Sequence, residues 1–370
     1  MPQLSVLIKP ASSMCNLRCR YCFYADESKH RNTESYGKMT SSTLENLVRK
    51  AFAYADGQIS FAFQGGEPTL AGKDFFREYL ALVKKYNSRG IQVNNAIQTN
   101  GICIDAEWCA VFREGNFLVG LSLDGTKDLH DSVRRTYDEK GTFEAVSRTA
   151  ELLDDEHIEF NILCVITESA SKHPTDIFRN LKKYRFLQFI PCLDDMDFNS
   201  PFSVSAESYG SFLISAYEQY EKSIYCKEPL SIRNFDNWIG MIAGYPPENC
   251  ALSGKCGNYY LIEADGTVFP CDFYALDKWR LGNINSDSFF RLAKNEVGKS
   301  FISESLNLPE ACRKCKWLSL CRGGCKRDRE PIINGIPSEN RLCQGHRMFF
   351  EEKYKDMVKL AKFMKGEMDK

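Results

Sequence analysis

Three cysteines, Cys15, Cys19 and Cys22, stand close together near the start of the chain in the spacing Cys-x3-Cys-x2-Cys. Three thiolates so placed can wrap one metal centre. Tetrahedral structural zinc takes four ligands, and no fourth is near. A cubane 4Fe–4S cluster held by three cysteines keeps one iron open for an outside ligand. Eight more cysteines follow late in the chain: Cys250-x5-Cys256-x14-Cys271, then Cys312-x2-Cys315-x5-Cys321-x3-Cys325-x17-Cys343. Eight ligands complete two four-ligand sites, either paired zinc ribbons or two closed iron–sulfur clusters. The absence of His from the set weighs against zinc. Cys103, Cys109, Cys164, Cys192 and Cys226 are isolated and read as core or loop residues, Cys164 most clearly within FNILCVI.

The composition narrows the setting of this chemistry. Sixteen cysteines in 370 residues fall well below the ~8–10% of a disulfide scaffold. The start MPQLSVLIKP lacks a basic segment, an apolar stretch and a cleavage site. A reducing, cytoplasmic location is therefore expected, where clustered cysteines bind metal rather than pair. With 48 basic and 49 acidic side chains the net charge is −1, so no electrostatic argument favours nucleic acid or an anionic membrane as partner. The clean apolar runs, 117–119 and 162–166, are far shorter than the ~18 residues of a membrane span.

The elements that must position these cysteines are legible in the hydrophobic pattern. Strands are expected at 4–9, 59–64, 91–98, 118–123, 159–167 and 186–190. Helices are expected near 41–55, 73–86, 105–114, 142–155, 174–183 and 205–222, with Thr40–Ser42 and Asp105 as N-caps and Pro174 in a first turn. Six strand–helix units predict an α/β fold, a partial (β/α)6 TIM-like barrel over 1–227, with its chemistry at the C-terminal strand ends. On that rim fall the first cysteine triplet, Gln64-Gly65-Gly66-Glu67-Pro68, Gln98-Thr99-Asn100-Gly101, Ser122-Leu123-Asp124-Gly125 and Pro191-Cys192-Leu193-Asp194. The Pro- and Gly-punctuated stretch from about 228 reads as a bridge into a Cys-rich domain over 228–345. There, 259–264 and 267–269 flank Asp265-Gly266, a type I′ hairpin pair. A C-terminal helix over 346–370, amphipathic from about Gln344, is expected to dock on the body of the protein.

The triplet on the loop after the first strand, with Tyr21 preceding its third cysteine, resembles the radical S-adenosylmethionine superfamily. That resemblance implies a 4Fe–4S cluster on Cys15, Cys19 and Cys22 whose open iron binds S-adenosylmethionine. It implies that Gly65, Gly66 and Glu67 hold the methionine amino group, and that Ser122 and Asp124 contact ribose and methionine. Arg134 would clamp the carboxylate, its guanidinium having the matching fork; a surface ion pair with nearby Asp residues is the other reading. Leu193 would pack against adenine. The late cysteines resemble the SPASM domain, which carries two auxiliary 4Fe–4S clusters and makes three in all. By position, Cys250, Cys256, Cys271 and Cys325 would hold one. Cys312, Cys315, Cys321 and Cys343 would hold the other.

The segments LIKPASSxCNLRCxYCFY, FAFQGGEPTLAG, FLVGLSLDG and PCDFYALDKWRLGNI resemble the anaerobic sulfatase-maturating enzymes along the whole chain. This implies oxidation of a Cys or Ser side chain in an unfolded or nascent sulfatase polypeptide to Cα-formylglycine. Hydrogen abstraction at Cβ would be followed by loss of a proton to a base and of an electron through an auxiliary cluster. A reducing donor such as flavodoxin or ferredoxin would serve it. Asp272, directly after Cys271, matches the family's base; a loop carboxylate capping a turn is the plainer reading. Tyr24 and Gln64 would contact the substrate peptide or merely pack the rim. Asp194, Asp195 and Asp197 would steer a basic peptide or form a solvated loop. Two other functions share these features: a SPASM-type enzyme making thioether crosslinks, and a zinc-stabilised module without catalysis.

Overall fold

The computed structural model describes residues 3–257 and 259–365, so the last five residues of the expected tail lie outside the described part. Two compact units emerge, Met1–Leu123 with His130–Asn161 and Asn258–Phe301, and Asp124–Leu129 with Ile162–Gly257 and Ile302–Lys370. All six expected strands and the six helices are present. The elements are β1 (Leu4–Ile8), α1 (Phe23–Lys29), α2 (Ser41–Tyr54), β2 (Gln58–Phe63), α3 (Lys73–Tyr86), β3 (Gln92–Thr99), α4 (Ala106–Glu114), β4 (Phe117–Ser122), α5 (Lys127–Val133), α6 (Phe143–Asp155), β5 (Phe160–Ile166), α7 (Pro174–Leu181), β6 (Phe186–Pro191) and α8 (Ala206–Tyr225).

In the first unit β1, β2, β3 and β4 are parallel neighbours in chain order, with Leu4 opposite Ile59, Gln58 opposite Gln92 and Asn95 opposite Phe117. β2 shows the period-2 pattern of a strand, burying Ile59, Phe61 and Phe63 while the residues between stay half-buried. Phe63 meets the rings of Phe76 and Tyr79 from α3, each at 4.9 Å between centroids. Thr40 caps α2 and Asp105 caps α4, each side chain accepting a backbone N–H of the first turn. The late hairpin belongs to this unit. Its first strand β8 (Tyr259–Ile262) pairs parallel with β1, and β9 (Thr267–Phe269) and β10 (Gly282–Asn283) continue antiparallel. The turn differs from the expected type I′. Gly266 N–H donates to Glu263 O at 2.8 Å, and of the Asp265-Gly266 pair only Gly266 has a positive φ, +88°. This is a type I turn closed by a left-handed glycine. Asp265 serves it by accepting from Thr267 N and Oγ1.

In the second unit β5, β6 and β7 (Ser231–Ile232) run parallel, Ile162 opposite Leu187 and Phe186 opposite Ser231. The expected bridge after 228 is instead partly regular. It supplies β7 and then α9 (Arg233–Ile242), which buries Phe235, Trp238 and Ile239. Their i, i+3, i+4 spacing is that of a core-facing helix, and the flanking Pro and Gly residues mask it. The C-terminal helix (Cys343–Met364) docks on α8 and α9, as expected. Phe349 lies 5.8 Å from the Phe235 ring and 5.1 Å from that of Trp238. Among the described residues no helix is long and apolar enough to cross a membrane.

That docking depends on two glycines. A Cβ on Gly345 would stand 2.0 Å from Ala206 O, and one on Gly210 would stand 2.7 Å from Gly345 Cα. Gly345→Ala must therefore push the helix off α8. A loss of about 1–3 kcal/mol is expected from the overpacking, read as a melting temperature several degrees lower by circular dichroism.

Candidate active site

The loop after β1 folds back on itself, with Ser12 N–H donating to Lys9 O and Met14 N–H to Ala11 O. This presents Cys15 beside the glycine pair that follows β2. Gly66, at φ +55°, lies so close that a Cβ would stand 2.2 Å from Met14 O, and Glu67 N–H donates to that same oxygen at 2.7 Å. Burial pushes the Cys15 thiol up to about 12, and the charges of Glu67, Cys19 and Cys22 add to the rise. Such a thiol ionises readily only against a cation. The half-buried triplet, with Cys15 its most desolvated thiol, therefore suits an iron cluster, which supplies that charge. Arg18 N–H donates to Arg135 O and Arg20 N–H to Val133 O, so the cysteine loop is laced to the segment carrying Arg134. The Arg134 guanidinium lies 5.4 Å from the centroid of Tyr21.

Glu67 is buried and heavily engaged. Its Oε1 accepts from Thr69 N at 3.1 Å, Thr69 Oγ1 at 2.6 Å and Thr99 Oγ1 at 2.7 Å, while Oε2 accepts from Asn100 N at 2.8 Å. Burial raises its pKa and these donors oppose the rise. The carboxylate thus locks the loop after β2 to the end of β3, leaving Oε2 as the oxygen with acceptor capacity. Asn100 also donates to Asn16 Oδ1 at 2.8 Å and faces Cys15 Sγ at 3.7 Å. Asn100 lies in the rim segment the sequence pointed to, though without an assigned role, and Asn16 beside Cys15 was not singled out. Ser122, which ends β4, is buried.

A second group in the same unit joins Tyr24 (α1), Gln64 (after β2) and Asp272 (after β9). Gln64 Nε2 donates to Asp272 Oδ2 at 2.9 Å and to Tyr24 Oη at 2.5 Å, and Tyr24 Oη donates to Asp272 Oδ2 at 3.4 Å. Cys271 Sγ donates to Asp272 Oδ1 at 3.4 Å. Burial raises the pKa of Asp272, with its hydrogen bonds and Lys9 pulling the other way. Burial also keeps the Tyr24 hydroxyl protonated. The pairing of β8 with β1 creates this meeting, because it brings a segment distant in sequence beside the ends of β1 and β2.

Beneath this group lies a buried ionic cluster that the sequence hints at only through Lys9, set between Ile8 and Pro10. Lys9 Nζ stands 2.7 Å from Glu263 Oε1, and Arg31 Nη1 2.5 Å from the same oxygen, all three side chains being sealed from solvent. Burial pushes Glu263 upward, but Lys9 and Arg31 outweigh it and hold the carboxyl below its ordinary range. Glu27 Oε1 accepts from Ala275 N at 2.7 Å, and burial pushes Glu27 up to about 7 against the pull of Lys9.

The second unit holds the remaining candidates. Asp124 is buried, and its Oδ1 accepts from Val165 N at 2.9 Å. Leu193 is half-buried on the loop after β6. Asp194 and Asp195 turn their carboxylates onto that loop's own N–H groups, at Asp195, Ser200, Asp197 and Asn199. This favours the loop-organising reading over peptide steering. Cys312, Cys315, Cys321 and Cys343 line one cavity of about 440 Å³. Burial raises the thiols of Cys321 and Cys343, and both also feel the charges of Cys312 and Cys315. Cys325 is half-buried within electrostatic reach of Cys250 and Cys256. The late cysteines thus form neighbouring sets, with Cys271 carried by the first unit beside Asp272. Among the described residues no three His, Cys, Asp or Glu are gathered closely enough for one mononuclear ion.

Residues 10–175 match the radical SAM superfamily and residues 254–316 the iron–sulfur cluster-binding domain called SPASM. The chain is a radical S-adenosylmethionine enzyme, with iron–sulfur clusters and S-adenosylmethionine as its cofactors. It is 43% identical over 98% of both chains to the cysteine-type anaerobic sulfatase-maturating enzyme of Clostridium novyi. The serine-type enzyme of Klebsiella aerogenes is more distant, at 31% identity over 94% of this chain and 84% of its own. The structure of native anSMEcpe with bound AdoMet and the Cp18Cys peptide superposes with a TM-score of 0.93 at 39% identity, covering 98% of this chain and all of that one. The chain belongs to the anaerobic sulfatase-maturating enzymes.

The engagement of Glu67 sets a test. In Glu67→Gln the amide nitrogen must face either the Asn100 N–H or the threonine donors, leaving a buried donor unsatisfied. A stability loss of about 1–3 kcal/mol is expected, measured by thermal unfolding of protein matched for iron content.

Proposed function

We propose that this enzyme acts on cysteine, converting a Cys side chain of an unfolded sulfatase polypeptide to Cα-formylglycine. The observation that carries this reading is the Tyr24–Gln64–Asp272 group beside Cys271. A half-buried carboxylate whose side-chain partners are the neutral groups of Gln64, Tyr24 and Cys271 keeps room to accept a proton. The higher identity to the cysteine-type relative supports the choice of cysteine over serine.

In this reading Cys15, Cys19 and Cys22 hold the cluster that binds S-adenosylmethionine. Glu67 Oε2 and the backbone at Gly65 and Gly66 take its amino group, and Arg134 takes its carboxylate. Ser122 and Asp124 contact ribose and methionine, and Leu193 packs on adenine. When bound, these groups supply one-electron abstraction of hydrogen from an unactivated carbon. Asp272 takes the proton of the substrate thiol, and its low-dielectric setting makes it a stronger base than a surface carboxylate. Gln64 aims Oδ2 by its short amide contact, and Tyr24 closes the wall against which the peptide lies. Cys250, Cys256, Cys271 and Cys325 hold one auxiliary cluster, and Cys312, Cys315, Cys321 and Cys343 the other. In domain terms we assign 1–227 to the radical SAM barrel, 228–345 to the SPASM domain and 346–370 to the closing helix. The enzyme works in the cytoplasm with a reducing donor such as flavodoxin or ferredoxin.

Anaerobic turnover of paired Cys- and Ser-containing sulfatase peptides, followed by mass, tests the reading. Formylglycine from the Cys peptide loses the elements of hydrogen sulfide and gains an oxygen. Loss of two hydrogens instead would indicate a thioether and overturn it. Asp272→Asn should still cleave S-adenosylmethionine while formylglycine output falls by roughly 10²–10⁴-fold.

Reconstituted protein should carry about 12 irons per chain, from three clusters of four. Iron near four with zinc making up the balance would remove the auxiliary clusters.

A further inference from the structure

The loop between β6 and α8 buries Cys192 and Val204 at its two ends and is thinly anchored between them. Met196 is half-buried, while Phe198 is exposed and sits at φ +57°. Besides the loop's own Asp194 and Asp195 bonds, two arginines of the Cys-rich segment in the same unit hold it from outside. Arg341 Nη2 donates to Cys192 O at 2.8 Å, while its Nη1 donates to Val204 O at 3.1 Å and Ser203 Oγ at 3.4 Å. One planar group therefore bridges both ends of the loop and closes its neck. Its third edge is fixed, since Nε donates to Asp328 Oδ1 at 2.8 Å. Arg327 Nη2 donates to Asp194 O at 3.2 Å and Asp195 O at 3.1 Å, and its guanidinium lies 5.7 Å from the Phe198 ring. Arg327 is 7% exposed, so these bonds are sheltered from competing water.

Leu193 lies between two carbonyls that are both gripped, Cys192 O by Arg341 and Asp194 O by Arg327. Arg341 stands two residues before Cys343, and Arg327 two residues after Cys325. We infer that Arg341 and Arg327 are positioning residues through which the Cys-rich segment sets the loop after β6 and holds Leu193 in place for the adenosine of S-adenosylmethionine. The inference rests on the reading of Leu193 as the adenine contact. The residue type matters. A guanidinium carries a rigid fork of donors that can span two carbonyls, whereas a lysine is a single point of charge that reaches one at a time. Neither arginine touches the cofactor in this scheme, so each acts on its binding through the loop alone.

The test uses the reconstituted full-length enzyme with Arg341→Gln, Arg341→Lys, Arg327→Gln and, in parallel, Leu193→Ala. Three quantities are read: iron content, amide hydrogen exchange over residues 192–204 without S-adenosylmethionine, and the dissociation constant of S-adenosylmethionine. The expected result is wild-type iron in all four and faster exchange of the loop in the arginine variants. Their dissociation constants should rise about tenfold, with Arg341→Lys behaving as Arg341→Gln and the KM for the peptide unchanged. Unchanged loop exchange in both Gln variants would overturn the inference. So would loss of iron in both, which would make the arginines supports for Cys325 and Cys343. If Leu193→Ala weakens binding and the arginine variants do not, the clamp is wrong. If Leu193→Ala itself binds normally, the adenine reading fails and takes the inference with it.

Discussion

One buried carboxylate, that of Glu263, holds the first unit together where its chemistry lies. Two cations converge on it from the segment that follows β1, Lys9 at the strand's end and Arg31 just beyond α1. Burying three charges is costly, and breaking such a group by removing one partner typically destabilises by about 3–5 kcal/mol. Such a group is weak evidence for net stability. Lys9 runs its aliphatic stem under Gly65, where a Cβ would stand 2.4 Å from Lys9 Cγ, and its ammonium lies 5.0 Å from the centroid of the Tyr24 ring. Its charged end meets the turn of the hairpin that leads to Cys271 and Asp272. The cysteine loop, the glycine pair and the carboxylate are therefore all referred to the same ion cluster.

Two other carboxylates in that unit, Glu67 buried and Asp272 half-buried, show how hydrogen bonding separates roles that desolvation alone would make alike. Both Glu67 and Asp272 are lifted by desolvation. Glu67 is matched by four donors from its own loop and the end of β3, which makes it a fastener with one oxygen to offer. Asp272 has an amide, a phenol and a thiol as side-chain partners and, of the backbone, its own N–H. Most donors to Asp272 are side chains, whereas Glu67 is pinned partly by the backbone of its own loop, and the base role proposed for Asp272 draws on that difference.

Much of this was legible in the sequence, and for physical reasons. Buried strands and amphipathic helices write their periods into contiguous residues, so β1 to β6 and the helices between them could be placed. Cysteine spacing carried the expectation of iron–sulfur cofactors in the same local way. What escaped was either masked or non-local. The helix over Arg233–Ile242 has a clear apolar face, yet the prolines and glycines on both sides read as punctuation. The hairpin turn looked like type I′ because a dipeptide cannot show which residue takes the positive φ. The Lys9–Glu263–Arg31 cluster and the grip of Arg341 on Cys192 O join residues remote in sequence. No window of sequence contains both partners.

The C-terminal helix begins at Cys343 and reaches α8 through the close approach of Gly345 to Gly210 and Ala206. Under the assignment proposed above, in which Cys343 is a cluster ligand, closing the coordination shell and seating the helix would become one equilibrium. Iron binding then contributes to folding free energy at this end of the chain, and helix packing in turn contributes to metal retention. Oxidative loss of the cluster would register first as fraying of the helix that follows it. A chelator would act on this region as a denaturant does.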